Sequence, residues 1–223
     1  MVQVFSRVRG ALLAGACAVV LSGCAGNVAP EVKRLPERVE LSGTFYRGEA
    51  NQSGPQVLAS LLSQQGIVIT PGLLEKPLHL PGAEDKLQQN MQNLAREYGL
   101  VVYPLDSKLP ALLTQVAAGY PVMVRFSEGS AFWAEPRYAI LSGYDRNKQK
   151  ILLRAGMNRR QLMDFASFES AFEKAGGWAI LIQKPAQIPA AVDRSRWLKA
   201  ADELAQAGEE NAAAQARKAL AAQ

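Results

Sequence analysis

Gln52 and Ser53 stand at the start of a predicted helix, a position that could hold the nucleophile of a hydrolase. Ser53 has the spacing of a helix N-cap, with Pro55 in the first turn and Gln56 three residues after the cap. The partial positive charge at a helix N-terminus would lower the pKa of a thiol, but this position holds a hydroxyl. Two interpretations therefore stay open: Ser53 caps the helix, or it attacks a substrate.

The chain offers few residues for other catalytic chemistry or for a metal site. It has two cysteines, Cys17 and Cys24, and a single histidine, His79. Both cysteines lie in the first 24 residues, so a disulfide framework, a cysteine nucleophile and a cysteine-based zinc site are excluded for the globular part. One histidine cannot form a histidine-based metal cluster, and we expect no metal and no cofactor.

The first 24 residues have the pattern of a bacterial lipoprotein signal. Arg7 and Arg9 precede an apolar run over 11–21, which has the length of a signal h-region and is too short to span a membrane as a helix. The run ends in Leu21-Ser22-Gly23-Cys24, which matches the lipobox, a motif whose cysteine is lipidated and becomes the new N-terminus. An ordinary signal peptide with a chance cysteine is the alternative.

This pattern predicts a membrane anchor at one end of the chain. We expect a signal peptide over 1–23, a lipid on Cys24 and a tether over 24–40, whose prolines and mixed charges are typical of linkers. Ala25 stands where an aspartate would favour retention in the inner membrane. The sequence therefore predicts an outer-membrane lipoprotein that faces the periplasm.

The net charge gives no reason to expect a nucleic-acid partner. Lysine and arginine number 25 against 20 acids, a balance of +5. Removing Arg7 and Arg9 with the signal leaves 23 against 20, or +3, which is a mild excess. We interpret Arg159-Arg160 as solvated loop charge rather than as a binding patch.

The elements that must position these residues are helices in the first half of the chain and strands in the second. Apolar periodicity predicts helices over about 54–65, 83–98, 107–118 and 165–175, and strands over 39–46, 100–103, 121–126, 137–144, 149–154 and 178–183. A loop is predicted over 128–136. Helices followed by antiparallel strands indicate an α+β fold rather than a doubly wound α/β fold.

Residues 190–223 predict a C-terminal αα-hairpin after a linker at 185–189. Asp193 or Ser195 caps its first helix, which carries Trp197. The hairpin resembles a single tetratricopeptide-type unit. Because one such unit cannot bury its own apolar face, we expect it to dock on the main domain or on a partner.

Several strings, taken in order, resemble the bacteriocin-processing, double-glycine type of cysteine peptidase. They are Gln52-Ser53-Gly54-Pro55, Leu80-Pro81-Gly82, Gly119-Tyr120-Pro121-Val122, Arg137-Tyr138-Ala139-Ile140, Leu153-Arg154-Ala155-Gly156 and Gly177-Trp178-Ala179. More closely, the chain resembles the bacterial lipoprotein branch of that family, in which tetratricopeptide helices follow the domain. The resemblance covers about residues 41–220. It implies a papain-like α+β fold, with a peptidase-like domain over 41–185.

The same resemblance assigns positions to the family's catalytic residues. Gln52 matches the glutamine that helps to bind the oxyanion, Ser53 stands where the cysteine nucleophile belongs, and Arg137 stands where the histidine base belongs. The orienting acid would fall near Arg154 or Ala155, and neither is an acid. Serine is a poor nucleophile without a base, and arginine, with a pKa above about 12, cannot serve as one. The resemblance therefore implies a degenerate catalytic site.

From these residues we expect a catalytically inactive, peptidase-like lipoprotein that binds a peptide or protein in the periplasm. The residues expected to line its cleft are Gln52, Ser53, Trp133, Arg137 and Tyr138. Arg137 would give the cleft a fixed positive charge that could pair with a carboxylate. The alternative for Arg137 is an ordinary ion pair with Glu135 or Asp145.

Two other functions stay open. The first is a working hydrolase in which Ser53 is assisted by His79, Lys76 or Lys108. The second is a structural accessory that stabilises an envelope assembly through the C-terminal hairpin. Activity on peptide substrates would distinguish the hydrolase from the other two. Loss of partner capture on changing the hairpin would indicate the accessory.

Overall fold

The structure describes residues 29–129 and 133–223. This part of the chain forms a seven-stranded antiparallel sheet and eight α-helices. The structure is a computed structural model. The predicted signal peptide, the lipidation site Cys24 and residues 25–28 of the predicted tether lie outside the described residues. None of the described helices is both long enough and apolar enough to cross a membrane.

Helices and strands are interspersed along the chain, and all the strands belong to one sheet. The helices are α1 (Pro30–Lys33), α2 (Ser53–Gln64), α3 (Pro71–Leu74), α4 (Leu87–Glu97), α5 (Leu109–Ala117), α6 (Phe165–Lys174), α7 (Arg194–Gln206) and α8 (Glu210–Ala221). The strands are β1 (Arg38–Glu40), β2 (Val101–Pro104), β3 (Val122–Gly129), β4 (Ala134–Asp145), β5 (Lys150–Ala155), β6 (Asn158–Asp164) and β7 (Ala179–Gln183). The strand order is β2-β7-β3-β4-β5-β6, with β1 paired to β4. The predicted α+β class is confirmed.

Each face of the sheet is covered by its own group of helices. Because strand side chains alternate between faces, Ile140 of β4 packs with α2 and α4 while Leu141 packs with α5, α6 and the C-terminal helices. Both clusters contain fully buried side chains, such as Met91 on one face and Phe168 on the other. The sheet therefore separates the α2 side from the α5 side, and a residue's position in a strand decides which side it faces.

Sequence periodicity locates the helices well where one face is apolar and the other polar. In α4, Leu87, Met91 and Leu94 recur at spacings of four and three, and all three are buried. Asp193 caps α7, since its Oδ1 accepts a hydrogen bond from the Arg196 backbone N–H at 2.9 Å. Both predictions are confirmed.

The tether predicted over 24–40 is wrong from Ala29 onward, because the chain there is packed on the sheet. Val32 is 2% exposed and lies in the α5-side cluster. β1 pairs with β4 in the register Val39↔Tyr144, and the strand ends at Glu40 rather than continuing to Tyr46. A short segment with mixed charge is typical of a linker. Here Val32 and Val39 pack against the α5-side cluster and β1 pairs with an open edge of β4, which holds the segment on the sheet.

The loop predicted over 128–136 and the loop assigned to Arg159-Arg160 both need correction. The loop predicted over 128–136 is too long, since β3 runs to Gly129 and β4 begins at Ala134. β6 was missed altogether, and Arg159-Arg160 lie in that strand rather than in a loop. All but two of the residues of β6 are exposed, so the strand lacks the alternation of buried and exposed residues that signals a half-buried strand.

The C-terminal hairpin docks on the main domain, which is one of the two alternatives that its apolar face left open. Trp197 is fully buried, its ring centroid lies 6.0 Å from that of Tyr103 in β2, and its indole N–H donates to the Ala216 carbonyl at 2.9 Å. Buried side chains from Val32 to Leu220 belong to one cluster, so the predicted segments 41–185 and 190–223 share a hydrophobic core.

Candidate functional site

Ser53 is the first residue of α2 and does not cap it. The chain enters the helix from a 3₁₀ turn at Ala50–Gln52, so Gln52 occupies the N-cap position. The Ser53 side chain is instead turned to the sheet, where its Oγ accepts a hydrogen bond from the Tyr138 backbone N–H at 3.2 Å. The Gln56 side chain does not bond the backbone N–H of the cap residue, as a capping box requires, since its amide donates to the Glu49 carbonyl at 3.3 Å. The predicted capping box is therefore wrong.

The end of β5 explains why α2 contacts β4 at Tyr138. β5 pairs with β4 only as far as Ile140↔Arg154, so the β4 backbone before Ile140 has no strand partner on that side. Ser53, 5% exposed, supplies the missing acceptor for the Tyr138 N–H. Gly54 lets α4 pack closely, because a Cβ there would lie 2.9 Å from Cδ2 of Leu87. The position of Ser53 is thus set by backbone pairing and close helix packing.

Arg137 is adjacent to Tyr138 in the chain but faces the other side of the sheet. It stands opposite Phe126 in the β3–β4 register, and Phe126 packs in the α5-side cluster. Its Nη2 donates to Oε2 of Glu135 at 2.5 Å, and its Nε lies 3.9 Å from Oε2 of Glu128. The predicted pairing with Glu135 is observed, and the two carboxylates offset the positive charge expected for the cleft.

Tyr138 and Trp133, two other predicted cleft residues, lie in different environments. Tyr138 is 8% exposed, and its ring meets Trp178 edge-on with centroids 5.7 Å apart. Burial raises the pKa of the Tyr138 phenol, which therefore stays neutral. Trp133 is 83% exposed and lies before the start of β4, about 15 Å along the strand from Tyr138. Tyr138 is part of the core, and Trp133 is part of the open surface.

Arg154 occupies the place where the resemblance would put an orienting acid. It is 5% exposed, and its Nη2 donates to the Leu41 carbonyl. Burial lowers the pKa of the Arg154 guanidinium, and no salt bridge joins it to a carboxylate among the residues that the structure describes. The side chain holds the segment after β1 against the sheet. Its chemistry cannot orient a catalytic imidazole, since a guanidinium only donates.

Comparison with known proteins finds similarity in structure and not in sequence. No protein-family model matches the chain, and no curated protein sequence does. A C39-like peptidase from Bacillus anthracis is 15% identical, with a TM-score of 0.50 over 67% of this chain and 98% of that chain. The peptidase domain of Streptococcus ComA, a bi-functional ABC transporter of a quorum-sensing pathway, is 15% identical, with a TM-score of 0.47 over 66% of this chain and 98% of that chain.

The chain has the papain-like fold of C39 cysteine peptidases. A double-glycine motif protease from an AMS/PCAT transporter, solved with its leader peptide, is also similar, at 13% identity and a TM-score of 0.46 over 68% of this chain and 95% of that chain. The similarity to the Bacillus anthracis structure establishes the fold and leaves the chemistry to the residues themselves.

Within this C39-like fold, the described residues supply Ser53 with no base. The Tyr138 N–H is the one hydrogen-bond partner of its hydroxyl in the part of the chain that the structure describes. His79, Lys76 and Lys108 are all exposed and make no hydrogen bond to it. No group of His, Cys, Asp or Glu side chains within the described ranges could hold a metal ion. The hydrogen bond that the Ser53 hydroxyl accepts positions α2 against the sheet.

A polar groove beside the C-terminal hairpin was not predicted. It has a volume of about 580 Å³ and lies between α4 and α7. Its lining is rich in amide side chains, namely Gln89, Gln92 and Asn93 of α4 and Gln206 of α7. The buried Arg96 spans the groove to Glu203, with Nη2 and Oε2 2.5 Å apart. The spacing of the three amides on one helix face was a possible sequence signal for this surface.

Proposed function

We propose that this protein is a peptidase-like envelope lipoprotein that does not catalyse hydrolysis and that binds a peptide or protein in the periplasm. The observation that carries the proposal is the hydrogen bond from the Tyr138 N–H to the Ser53 hydroxyl, at 3.2 Å. A hydroxyl becomes a good nucleophile when a neighbouring base takes its proton. Here the hydroxyl supports the sheet backbone, and Arg137, at the family's base position, is paired with Glu135.

Membrane attachment through Cys24 belongs to the same proposal. A basic start, an apolar run and Leu21-Ser22-Gly23-Cys24 follow one another at the spacing of a lipoprotein signal. Acyl chains on Cys24 would give stable anchoring, since each buried methylene contributes about 0.8 kcal/mol. With Ala25 after the cysteine, the proposed site is the outer membrane, with the globular part in the periplasm.

Gln52 and Trp133 are the predicted cleft residues that remain accessible to a ligand. Both are exposed, whereas Ser53 and Tyr138 are buried. An exposed tryptophan is a common anchor in protein interfaces. A peptide in extended conformation would span the roughly 15 Å from Trp133 to Tyr138, whose backbone N–H is bonded to Ser53 beside Gln52, with about four or five residues. The proposed ligand is therefore an extended segment of a peptide or protein that contacts Trp133.

Changing Ser53 to alanine separates a structural role from a catalytic one. Both hydrophobic clusters lie within residues 29–223, so a chain of residues 25–223 keeps the described fold. In that chain, Ser53→Ala should lower the free energy of unfolding by about 1–3 kcal/mol, because the buried Tyr138 N–H loses its acceptor. Peptide hydrolysis should be absent before and after the change. Urea unfolding and fluorogenic peptide assays measure the two quantities.

The matched control is Ser170→Ala on the exposed side of α6, which should change the unfolding free energy by less than about 0.5 kcal/mol. A fluorophosphonate adduct on Ser53, or peptide turnover that Ser53→Ala abolishes, would establish a working hydrolase instead. Equal stability losses for the two alanine variants would show that the Ser53–Tyr138 hydrogen bond contributes little.

A structural accessory is the second candidate function, and the groove between α4 and α7 favours it. Amide side chains both donate and accept hydrogen bonds, which suits them to contact another polypeptide. Deleting residues 190–223 would be a poor test, because Trp197 and Leu204 belong to the shared core. The accessory would use this groove rather than the apolar face of the hairpin, which is already buried.

Photo-cross-linking locates the partner without unfolding the domain. A benzoylphenylalanine at Gln89 or Gln206, both exposed in the groove, should capture a partner if the accessory function is correct. The same group at Gln52 should capture it if the surface that carries Gln52 and Trp133 binds the ligand. A probe at the exposed Lys174 of α6 is the control. We expect the Gln52 probe to give at least about tenfold more product than the control, as specific contact requires.

A further inference from the structure

The positive charge of the chain is concentrated in one stretch. Residues 145–164 contain six cations, Arg146, Lys148, Lys150, Arg154, Arg159 and Arg160, against two acids, Asp145 and Asp164. This stretch therefore carries +4. The remainder of residues 24–223 has 17 cations against 18 acids, or −1. The whole positive excess of the chain after Cys24 thus lies in the β5–β6 hairpin and the turn before it, which we name the basic edge (residues 145–164).

A cleft on the basic edge gathers several of these charges. It has a volume of about 210 Å³, and four cations line it, Arg38, Lys148, Lys150 and Arg160, with Glu40 and Asp145 as its acids. Glu40 is already held by two of the cations, since it accepts hydrogen bonds from Arg160 at 2.7 Å and 2.9 Å and from Arg38 at 3.2 Å. Lys148 makes no ion pair within the described ranges. Lys150 is paired with Asp164, its Nζ lying 3.0 Å from Oδ1, so Lys148 is the cation of the cleft that is left without an ion pair in the described structure and that suits an anionic group.

Apolar side chains lie beside these cations. Leu162 of β6 lines the same cleft and is 56% exposed, and Met157 in the turn between β5 and β6 is 63% exposed. Arg159, between them in the chain, is exposed and unpaired in the part of the chain that the structure describes. Cations flanking exposed apolar residues are typical of surfaces that lie on a lipid bilayer, where the apolar groups enter the headgroup region.

The first described segment, residues 29–40, contacts the basic edge. The Lys33 carbonyl accepts a hydrogen bond from Arg146 at 2.5 Å, and Glu40 of β1 is paired with Arg160. Cys24 precedes Ala29 by five residues, which span at most about 18 Å when fully extended. A lipid on Cys24 would therefore hold the basic edge close to the bilayer.

We propose that the basic edge docks on the anionic surface of the membrane, with headgroup phosphates in the cleft that Lys148, Lys150 and Arg160 line. The geometry of this proposal rests on the proposed lipidation of Cys24, while the charge and the exposed apolar residues stand independently of it. Docking would fix the orientation of the domain, so that Ser53, bonded to Tyr138 in the first half of β4, and Trp133, just before that strand, are presented away from the proposed anchor.

Vesicle binding tests the proposal with the unlipidated chain of residues 25–223. The chain should bind vesicles that contain phosphatidylglycerol and should not bind vesicles of phosphatidylcholine alone, and raised salt should weaken the binding. Each basic side chain near an anionic surface changes the partition coefficient by about fivefold. The double variant Lys148→Gln/Arg159→Gln should therefore bind phosphatidylglycerol vesicles about 25-fold more weakly. Neither side chain has an ion pair to lose in the described structure.

The matched control is Lys76→Gln/Lys218→Gln, which removes the same net charge from exposed positions elsewhere. It should leave vesicle binding within about twofold. Equal losses in the two double variants would show that only net charge matters and would overturn the proposal, as would binding to heparin or polyglutamate without binding to vesicles. Because the chain tested lacks the lipid, failure here is distinct from failure of lipidation, which membrane fractionation of the full chain with Cys24→Ser measures.

Discussion

Replacing Trp197 by alanine should lower the free energy of unfolding by about 3–5 kcal/mol. The indole is fully buried between the sheet and α8, 6.0 Å from the ring of Tyr103, and its N–H donates to the Ala216 carbonyl at 2.9 Å. Alanine would remove most of the side chain's apolar contact and leave a cavity between the hairpin and β2. Urea unfolding of residues 25–223 measures the loss.

Leu198→Ala is the control, because this neighbour on α7 is 41% exposed and should cost less than about 1 kcal/mol. Trp197→Phe keeps most of the apolar contact but removes the indole N–H, and should lie between the two. If Trp197→Ala cost no more than Leu198→Ala, the hairpin would not be part of the cooperative core. Two separate unfolding transitions in the unchanged chain would lead to the same conclusion.

The link between hairpin and sheet does not rest on Trp197 alone. The Gln115 amide of α5 donates to the Ala190 carbonyl at 2.8 Å and accepts from the Ala190 N–H at 3.0 Å. The hydroxyl of Tyr103 accepts from the Asp193 N–H at 3.0 Å. A single hairpin of this kind has no second unit to stack on, and here the edge strand β2 and α5 take that place. The predicted linker at 185–189 therefore leads into a docked element.

The parts of the fold that could be predicted are those encoded by local pattern. The spacing of Leu87, Met91 and Leu94 defines α4, and Asp193 caps α7 through a bond that spans three residues. The α+β class follows from the order of such elements. Each of these features depends on residues within one or two helical turns, which a sequence pattern contains completely.

The features that were missed depend on contacts between distant residues. β6 has few buried side chains and is held by its neighbour β5, so its own pattern resembles a loop. β1 is three residues long and forms because β4 offers it an edge. Arg160 lies 120 residues from Glu40, and neither residue indicates the other in the sequence. Pairing partners of this kind are specified by the assembled sheet and not by local composition.

In the candidate site, too, one feature could be predicted from the sequence and another could not. The resemblance placed Ser53 and the Arg137-Tyr138 strand together, and the structure brings the Ser53 hydroxyl to the Tyr138 backbone across 85 residues. The direction of the Arg137 side chain could not be predicted, since it depends on the register Phe126↔Arg137. A shift of that register by one residue would turn the guanidinium to the α2 side. The sequence therefore indicated that these two segments adjoin, and it did not indicate which face of the sheet the Arg137 side chain occupies.

Replacing Gly143 by valine should lower the free energy of unfolding by about 3 kcal/mol and release β1 from the sheet. A Cβ at this position would lie 2.5 Å from the Val39 carbonyl oxygen and 3.1 Å from Cα of Glu40. These are backbone atoms of β1, which cannot give way as a flexible side chain does. Urea unfolding measures the first effect. Trypsin cleavage after Lys33, Arg34 or Arg38 measures the second.

Gly72→Val is the control, since no atom outside the backbone of its own helix and its chain neighbours lies within 4 Å of a Cβ there, and it should change stability by less than about 1 kcal/mol with no new cleavage. Resistance of the Gly143→Val chain to trypsin would show that β1 holds without close contact at Gly143. The expected release has a clear cause: β3 pairs with β4 only up to Leu141, and β1 takes over the same edge at Gly143. Losing β1 leaves that edge unpaired and frees Arg160 from Glu40. The described segment up to Glu40 would then become a flexible tether, which the folded chain avoids by placing glycine where β1 crosses β4.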